Sequence, residues 1–187
     1  MLPALELRGI TKRFVAGVAT CRVSADVLRC VDVSVAAGEA VAIVGGPAAG
    51  KSTLLLCAAG LLVPDSGDIR WFGDDSSAAA LERSAYHFAG APGDPPRRGT
   101  TVQPRIHLID APESLRAERL DRLATWIARR RARGDAIVVA TREILLARRL
   151  ADRSVSLRGG HAYADPPSRA ARVAESAVRL VSGRETM

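Results

Sequence analysis

Residues 45–53 read GGPAAGKST, and Gly45 to Ser52 fit the spacing GxxxxGK[ST]. These residue types suit one kind of chemistry, the capture of a nucleoside triphosphate. Gly45, Gly46 and Gly50 let backbone N–H groups approach phosphate oxygens with no Cβ in the way. Lys51 adds a full positive charge for the β- and γ-phosphates, and the Ser52 hydroxyl suits a magnesium ion. Pro47, Ala48 and Ala49 complete the turn, and Thr53 follows it. The pattern predicts that residues 45–53 bind ATP with Mg2+. A second feature fits the first. Residues 106–110, IHLID, form an apolar run ending in Asp110, and an acid at a strand end beside such a loop holds magnesium directly or through water.

Such a loop needs a strand before it and a helix after it. Ala40 to Val44 is a short continuous apolar run, suited to a strand buried on both faces. Ser52 to Leu62 reads as a helix ending near Gly60, with its unpaired N–H groups and positive dipole end toward the phosphates. Residues 4–8 and 31–35 alternate apolar and polar, as half-buried strands do, and residues 15–26 read as a loop between them. Ile69 to Phe72 is another strand. From Asp74 to Pro104 the pattern weakens, with one strand at Ser84 to Phe88 and the loop GAPGDPPRRG.

Beyond Asp110 the longest helix spans 114–133, with Leu120, Leu123, Ala124 and Ile127 on one face and Gly134 at its C-cap. A strand at 136–140, a helix at 143–151 and a strand at 153–157 follow, then an amphipathic tail over 167–181. Strands alternating with helices indicate an α/β fold. The expectation is a P-loop NTPase-like core with an N-terminal antiparallel β part and a mostly parallel sheet flanked by helices. Residues 1–165 form the nucleotide-binding domain and 166–187 a C-terminal helical tail.

At 187 residues the chain is long enough to bury a real core. No segment approaches the run of about 18 apolar residues that a membrane helix requires, and charged residues near the start do not suit a signal peptide. These features predict a cytoplasmic location. The three cysteines, Cys21, Cys30 and Cys57, have no metal-type spacing and read as reduced, mostly buried thiols. The net charge of +7 comes almost wholly from scattered arginines, and no strand interleaves aromatic and basic residues, so specific nucleic-acid binding is not expected.

From residue 4 to about residue 160 the sequence resembles the ATP-binding cassette (ABC) ATPase domain, with one large gap. The likeness is carried by LELRGITKRF, by VLRCVDVSVAAGEAVAIVGGPAAGKSTLLLCAAGLLVPDSGDIRWFG, by IHLIDAP and by AIVVATREILLARRLADRSVSLRGGH. The stretch AGLLVPDSGDIRWFG is more specific than the phosphate loop, since other P-loop families do not share it. The resemblance implies that Phe14 stacks on adenine; packing in the core beside a strand is the other reading of that residue. It also implies phosphate binding by Gly45 to Thr53 and magnesium binding by Ser52 and Asp110.

The departures from the family pattern bear on catalysis. Ala111 stands where the family places the glutamate that polarises the attacking water, and a methyl group cannot take a proton. Glu113 is near, but beyond Pro112 its side chain is expected to point elsewhere. Arg142 replaces the switch histidine and reads as a solvated residue at a helix start. Ala48 replaces a usual glycine. The helical arm, with its glutamine loop and signature, is missing from the short stretch around 74–104.

No catalytic residue is therefore assigned. The expectation is an ATP-binding subunit with weak or lost hydrolysis, working as a homo- or heterodimer with an ABC-type partner subunit or a membrane permease. Through such a partner it would sit at the inner face of the membrane. A nucleotide-dependent regulatory module and a non-binding structural remnant are the other readings.

Overall fold

A computed structural model describes residues 2–18, 21–88 and 105–164. The expected loop at 90–99 and tail helix at 167–181 lie outside the described residues, as does most of the stretch expected to have lost the arm.

Two sheets build the domain. Strands β1 (Leu5–Val18), β2 (Cys21–Val35) and β4 (Ser66–Trp71) form an antiparallel sheet in the order β2-β1-β4. Strands β3 (Ala40–Val44), β5 (Ser84–Phe88), β6 (Ile106–Asp110), β7 (Ala136–Thr141), β8 (Arg153–Arg158) and β9 (His161–Ala164) form the second, in the order β5-β6-β7-β3-β8-β9. Its first five strands run parallel, and β9 returns antiparallel to β8.

Helix α1 (Lys51–Ala58) lies between the sheets. Its Leu54, Leu55, Cys57 and Ala58 pack in one core with Leu5, Ile10, Leu28 and Trp71 from the first sheet and Ile43, Ile106, Leu108 and Val138 from the second. Helices α3 (Ala117–Arg131) and α4 (Ile144–Leu150) cover the opposite face, where Leu123, Ile127, Leu146 and Leu150 bury Ile109, Ile137 and Val139. Every residue of β6 and β7 is buried, as a parallel strand covered on both faces requires. The fold class matches the sequence reading, each strand that was read lies within or overlaps a strand of the structure, and Leu120, Leu123, Ala124 and Ile127 share the packed face of α3.

Four elements differ, one of them β9 (His161–Ala164), where no strand was read. Residues 15–26 were read as a loop; of these, 15–18 and 21–26 belong to the paired strands β1 and β2, with Phe14 opposite Ala25 and Val15 opposite Ser24. This end of the hairpin is largely exposed on both faces, so no apolar alternation marks it in the sequence. Helix α1 stops at Ala58 rather than Leu62. Gly60, at φ +70, closes it as a Schellman motif, with Leu61 N–H donating to Leu56 O and Gly60 N–H to Cys57 O. The Trp71 indole donates to Ala58 O at 2.8 Å and so also satisfies the helix end. A short helix α2 (Ser77–Arg83), capped by the Ser76 side chain, precedes β5 where no helix was read. The cysteine expectation holds for Cys57, whose burial pushes its thiol up to about 11, and fails for Cys30, which is exposed.

A polar cluster sits under α3, with His107 and Asp135 buried and His87 half-buried. His87 Nε2 lies 3.2 Å from His107 Nδ1, and His107 Nε2 lies 3.2 Å from the Asp135 carboxylate. The Trp126 ring stands edge-on to both imidazoles, and Arg130 caps the group beside Asp135. Burial first, then the neighbouring His107 and Arg130, press His87 down to about 4. Burial also lowers His107, against the pull of Asp135.

An imidazole whose pKa is lowered on folding binds fewer protons folded than unfolded. Its stabilisation is therefore complete above the unfolded value of 6.5 and is lost as pH falls toward 4. We expect melts between pH 7 and 4.5 to lose on the order of 2–3 kcal/mol from this cluster. His87→Gln should flatten the slope in that window; an unchanged slope would contradict the assignment.

Candidate functional site

The phosphate loop leaves β3 at Val44 and enters α1 at Lys51. Gly45 N–H donates to Thr141 O at the end of β7, and a Cβ on Gly45 would meet Leu157 O at 2.6 Å. Gly50 takes φ +95 at the N-cap, where a Cβ would meet Val27 O at 2.8 Å. The loop is thus wedged against β2 and β8 by residues that only glycine can supply. Ala48 also adopts the left-handed region, at φ 56, which is consistent with a glycine being usual there.

Helix α1 has no side-chain cap and no acid in its first turn. Its unpaired N–H groups therefore remain a positive, donor-rich end, fitted to an anion. Lys51 Nζ rests on the loop, donating to Gly45 O and Gly46 O at 2.8 Å each. Burial lowers the Lys51 pKa, while Glu113 and Asp110 counter it and Arg142 adds to it. Glu113, Asp110 and Arg142 thus form the charged surroundings that Lys51 senses. Gly46, Pro47, Ala48 and Ser52 are exposed, and Gly45, Ala49, Lys51 and Thr53 are half-buried, so the rim of the cradle is accessible.

Asp110 ends β6 at 3% exposure, and Tyr86 of β5 donates its hydroxyl to Oδ2 at 2.8 Å. Burial, then the hydrogen bond to Asp110, push the Tyr86 phenol well above its usual range. Among the described residues no group of three or more His, Cys, Asp or Glu stands ready to hold a metal. Magnesium bound with a nucleotide takes one or two protein oxygens and fills its shell with phosphates and waters. Asp110 and Ser52 are the residues that suit it.

Beyond Asp110 the chain turns sharply. Ala111 sits in the left-handed region at φ 53 and leads into a 3-10 turn at Pro112–Ser114. This turn swings Glu113 back, contrary to the expectation that it points away. Thr141 Oγ1 donates to Glu113 Oε2 at 2.8 Å, and Arg142 Nε donates to Oε1 at 3.2 Å. Burial works to raise the Glu113 pKa, but these hydrogen bonds and those from backbone N–H groups hold it below the usual carboxylate range. Arg142 is accordingly not a purely solvated residue: its side chain is 59% exposed, but it is paired. The sequence carried no signal for this pair, because only the left-handed turn at Ala111 aims Glu113 at the end of β7.

Phe14 is 43% exposed on the hairpin, so the core-packing reading is corrected. Its ring lies 5.8 Å from Lys12 Nζ, and it pairs with Ala25, two residues outward along β2 from the Val27 that borders Gly50.

Fold and loop together define a P-loop domain in which an antiparallel β part covers the loop's helix. The sequence matches the ABC transporter family over residues 28–151, and the chain belongs to that family as an ATP-binding domain. It is 40% identical over 92 residues to a macrolide export ATP-binding/permease protein, MacB, of Nitrosomonas europaea, covering 46% of this chain and 14% of that protein. It is 42% identical over 92 residues to the lipoprotein-releasing system ATP-binding protein LolD of Roseobacter denitrificans, covering 46% and 39%. The chain thus matches well under half the length of these relatives.

Among solved structures, the ATP-binding subunit of an ABC transporter superposes with a TM-score of 0.68 at 19% identity, over 98% of this chain and 95% of that one. A dimeric bacterial ABC transporter cassette superposes with a TM-score of 0.67 at 17% identity, over 88% and 99%. These likenesses speak to the fold. No helix among the described residues is long and apolar enough to cross a membrane.

Proposed function

We propose that the chain binds Mg-ATP at residues 45–53 and hydrolyses it slowly or not at all. The observation that carries this is the uncapped start of α1, with Lys51 held on two carbonyls of its own loop. On this reading the loop amides and Lys51 hold the phosphates, Ser52 and Asp110 serve magnesium, and Phe14 offers its exposed face to adenine. Magnesium would neutralise phosphate charge; the chain's own part is to position and hold. Ala111 offers no base. Glu113 cannot readily replace it, because both its oxygens accept hydrogen bonds and its proton affinity is depressed.

The reading extends to a nucleotide-binding domain over 1–165 with a tail over 166–187, acting in a homo- or heterodimer beside an ABC-type subunit or permease. The printed names of the relatives, an ATP-binding/permease protein and a releasing-system subunit, support such partners. In that assembly the chain would sit at the cytoplasmic face of the membrane.

Ligand that binds only the folded chain stabilises it by mass action, by about 2.7 kcal/mol at a hundredfold excess over Kd. We expect a dose-dependent rise in Tm with Mg-ATP. No rise up to millimolar Mg-ATP would leave a structural remnant as the correct description.

A further inference from the structure

Two acids act on Lys51, and they are tied differently. Glu113 has both oxygens engaged, Oε2 by Thr141 and Oε1 by Arg142. Asp110 accepts the Tyr86 hydroxyl at Oδ2. Tyr86 reaches it because β5 runs parallel to β6 in register, with Phe88 opposite Asp110 and Tyr86 opposite Leu108. Side chains two apart share a face, so Tyr86 crosses the diagonal to the strand end. Its half-buried ring packs against the main core, which leaves the hydroxyl little freedom to swing away.

We propose that Tyr86 is a positioning residue for magnesium: its hydroxyl commits Asp110 Oδ2 to the protein and so presents Oδ1 to the ion or its water. This rests on the reading of Asp110 as the magnesium carboxylate. A carboxylate at the end of a strand can otherwise rotate about its last torsion, and both oxygens then compete for the same ion at an entropic cost. A donor that fixes one oxygen removes that freedom, and loss of such outer partners typically costs 10–100-fold in metal affinity.

Tyr86→Phe keeps the ring and its packing and deletes only the donor. ATP is titrated calorimetrically into wild type and variant across a series of free Mg2+ concentrations and in EDTA. The expected result is about a tenfold rise in the Mg2+ needed for half-maximal tightening in Tyr86→Phe, with metal-free ATP affinity unchanged. The same Mg2+ requirement in both proteins overturns the proposal. So does equal weakening with and without the metal, which marks a merely structural role. If wild-type protein binds no ATP under either condition, the nucleotide site itself is wrong and the proposal falls with it; Mg-dependent binding in wild type with an unaltered variant sinks only the role of Tyr86.

Discussion

Lys51→Ala is expected to weaken Mg-ATP binding by about 100-fold while leaving the fold intact. Lys51 Nζ makes two hydrogen bonds, both to neutral carbonyls of its own loop. Phosphate oxygens offer it charged acceptors instead, and each hydrogen bond to a charged group contributes about 1.5–3 kcal/mol net. Loss of one to two such bonds gives the stated fold-change. Asp110 and Glu113 both act electrostatically on Lys51, and without it only Arg142, already paired with Glu113, offsets them beside the triphosphate, which adds to the loss. Stability should change little, since Lys51 is a half-buried residue at the helix start and belongs to neither core cluster. The check is the Mg-ATP dose-dependence of Tm in both proteins. A variant that responds like wild type would remove Lys51 from the site.

The second large effect concerns turnover. The purified chain is expected to hydrolyse ATP about 10²–10⁴ times more slowly than a site with a positioned general base. Ala111, directly after the end of β6, carries no group that could act as a base. Glu113 is close, but it is ion-paired and its carboxyl is held below the usual range, which makes it a weak proton acceptor. Glu113→Gln should therefore leave the low rate nearly unchanged. Phosphate release from wild type, Glu113→Gln and Lys51→Ala decides the matter, with the lysine variant as the control for contaminating ATPase. Turnover at about 1–10³ s⁻¹ that vanishes in Lys51→Ala would refute it.

What was legible in the sequence was whatever lies contiguous in it. The phosphate loop is nine neighbouring residues, 45–53, and β3 and α1 flank it as their apolar patterns predict. Asp110 could be read because a buried parallel strand is a continuous apolar run whose end is visible. Side-chain direction beyond that end was not legible. It depends on Ala111 adopting a left-handed conformation that alanine rarely takes, and only then does Glu113 meet Thr141 and Arg142.

The Tyr86–Asp110 and His87–His107 contacts were hidden for another reason. Each requires the parallel register of β5 on β6, which no local pattern encodes. The outer β1–β2 hairpin was missed because a ribbon wet on both faces has no alternation to read. Phe14 was left between two readings, and only its exposure decided against the core.

Amide hydrogen exchange with and without saturating Mg-ATP tests the phosphate cradle most directly, because the backbone N–H groups themselves are the proposed donors. Slowed exchange is predicted across residues 45–53 and at the end of β6 near Asp110, with much less slowing there in Lys51→Ala at the nucleotide concentration that just saturates wild type. Unchanged exchange over 45–53 in wild type while Mg-ATP raises Tm would place the nucleotide elsewhere and contradict the site.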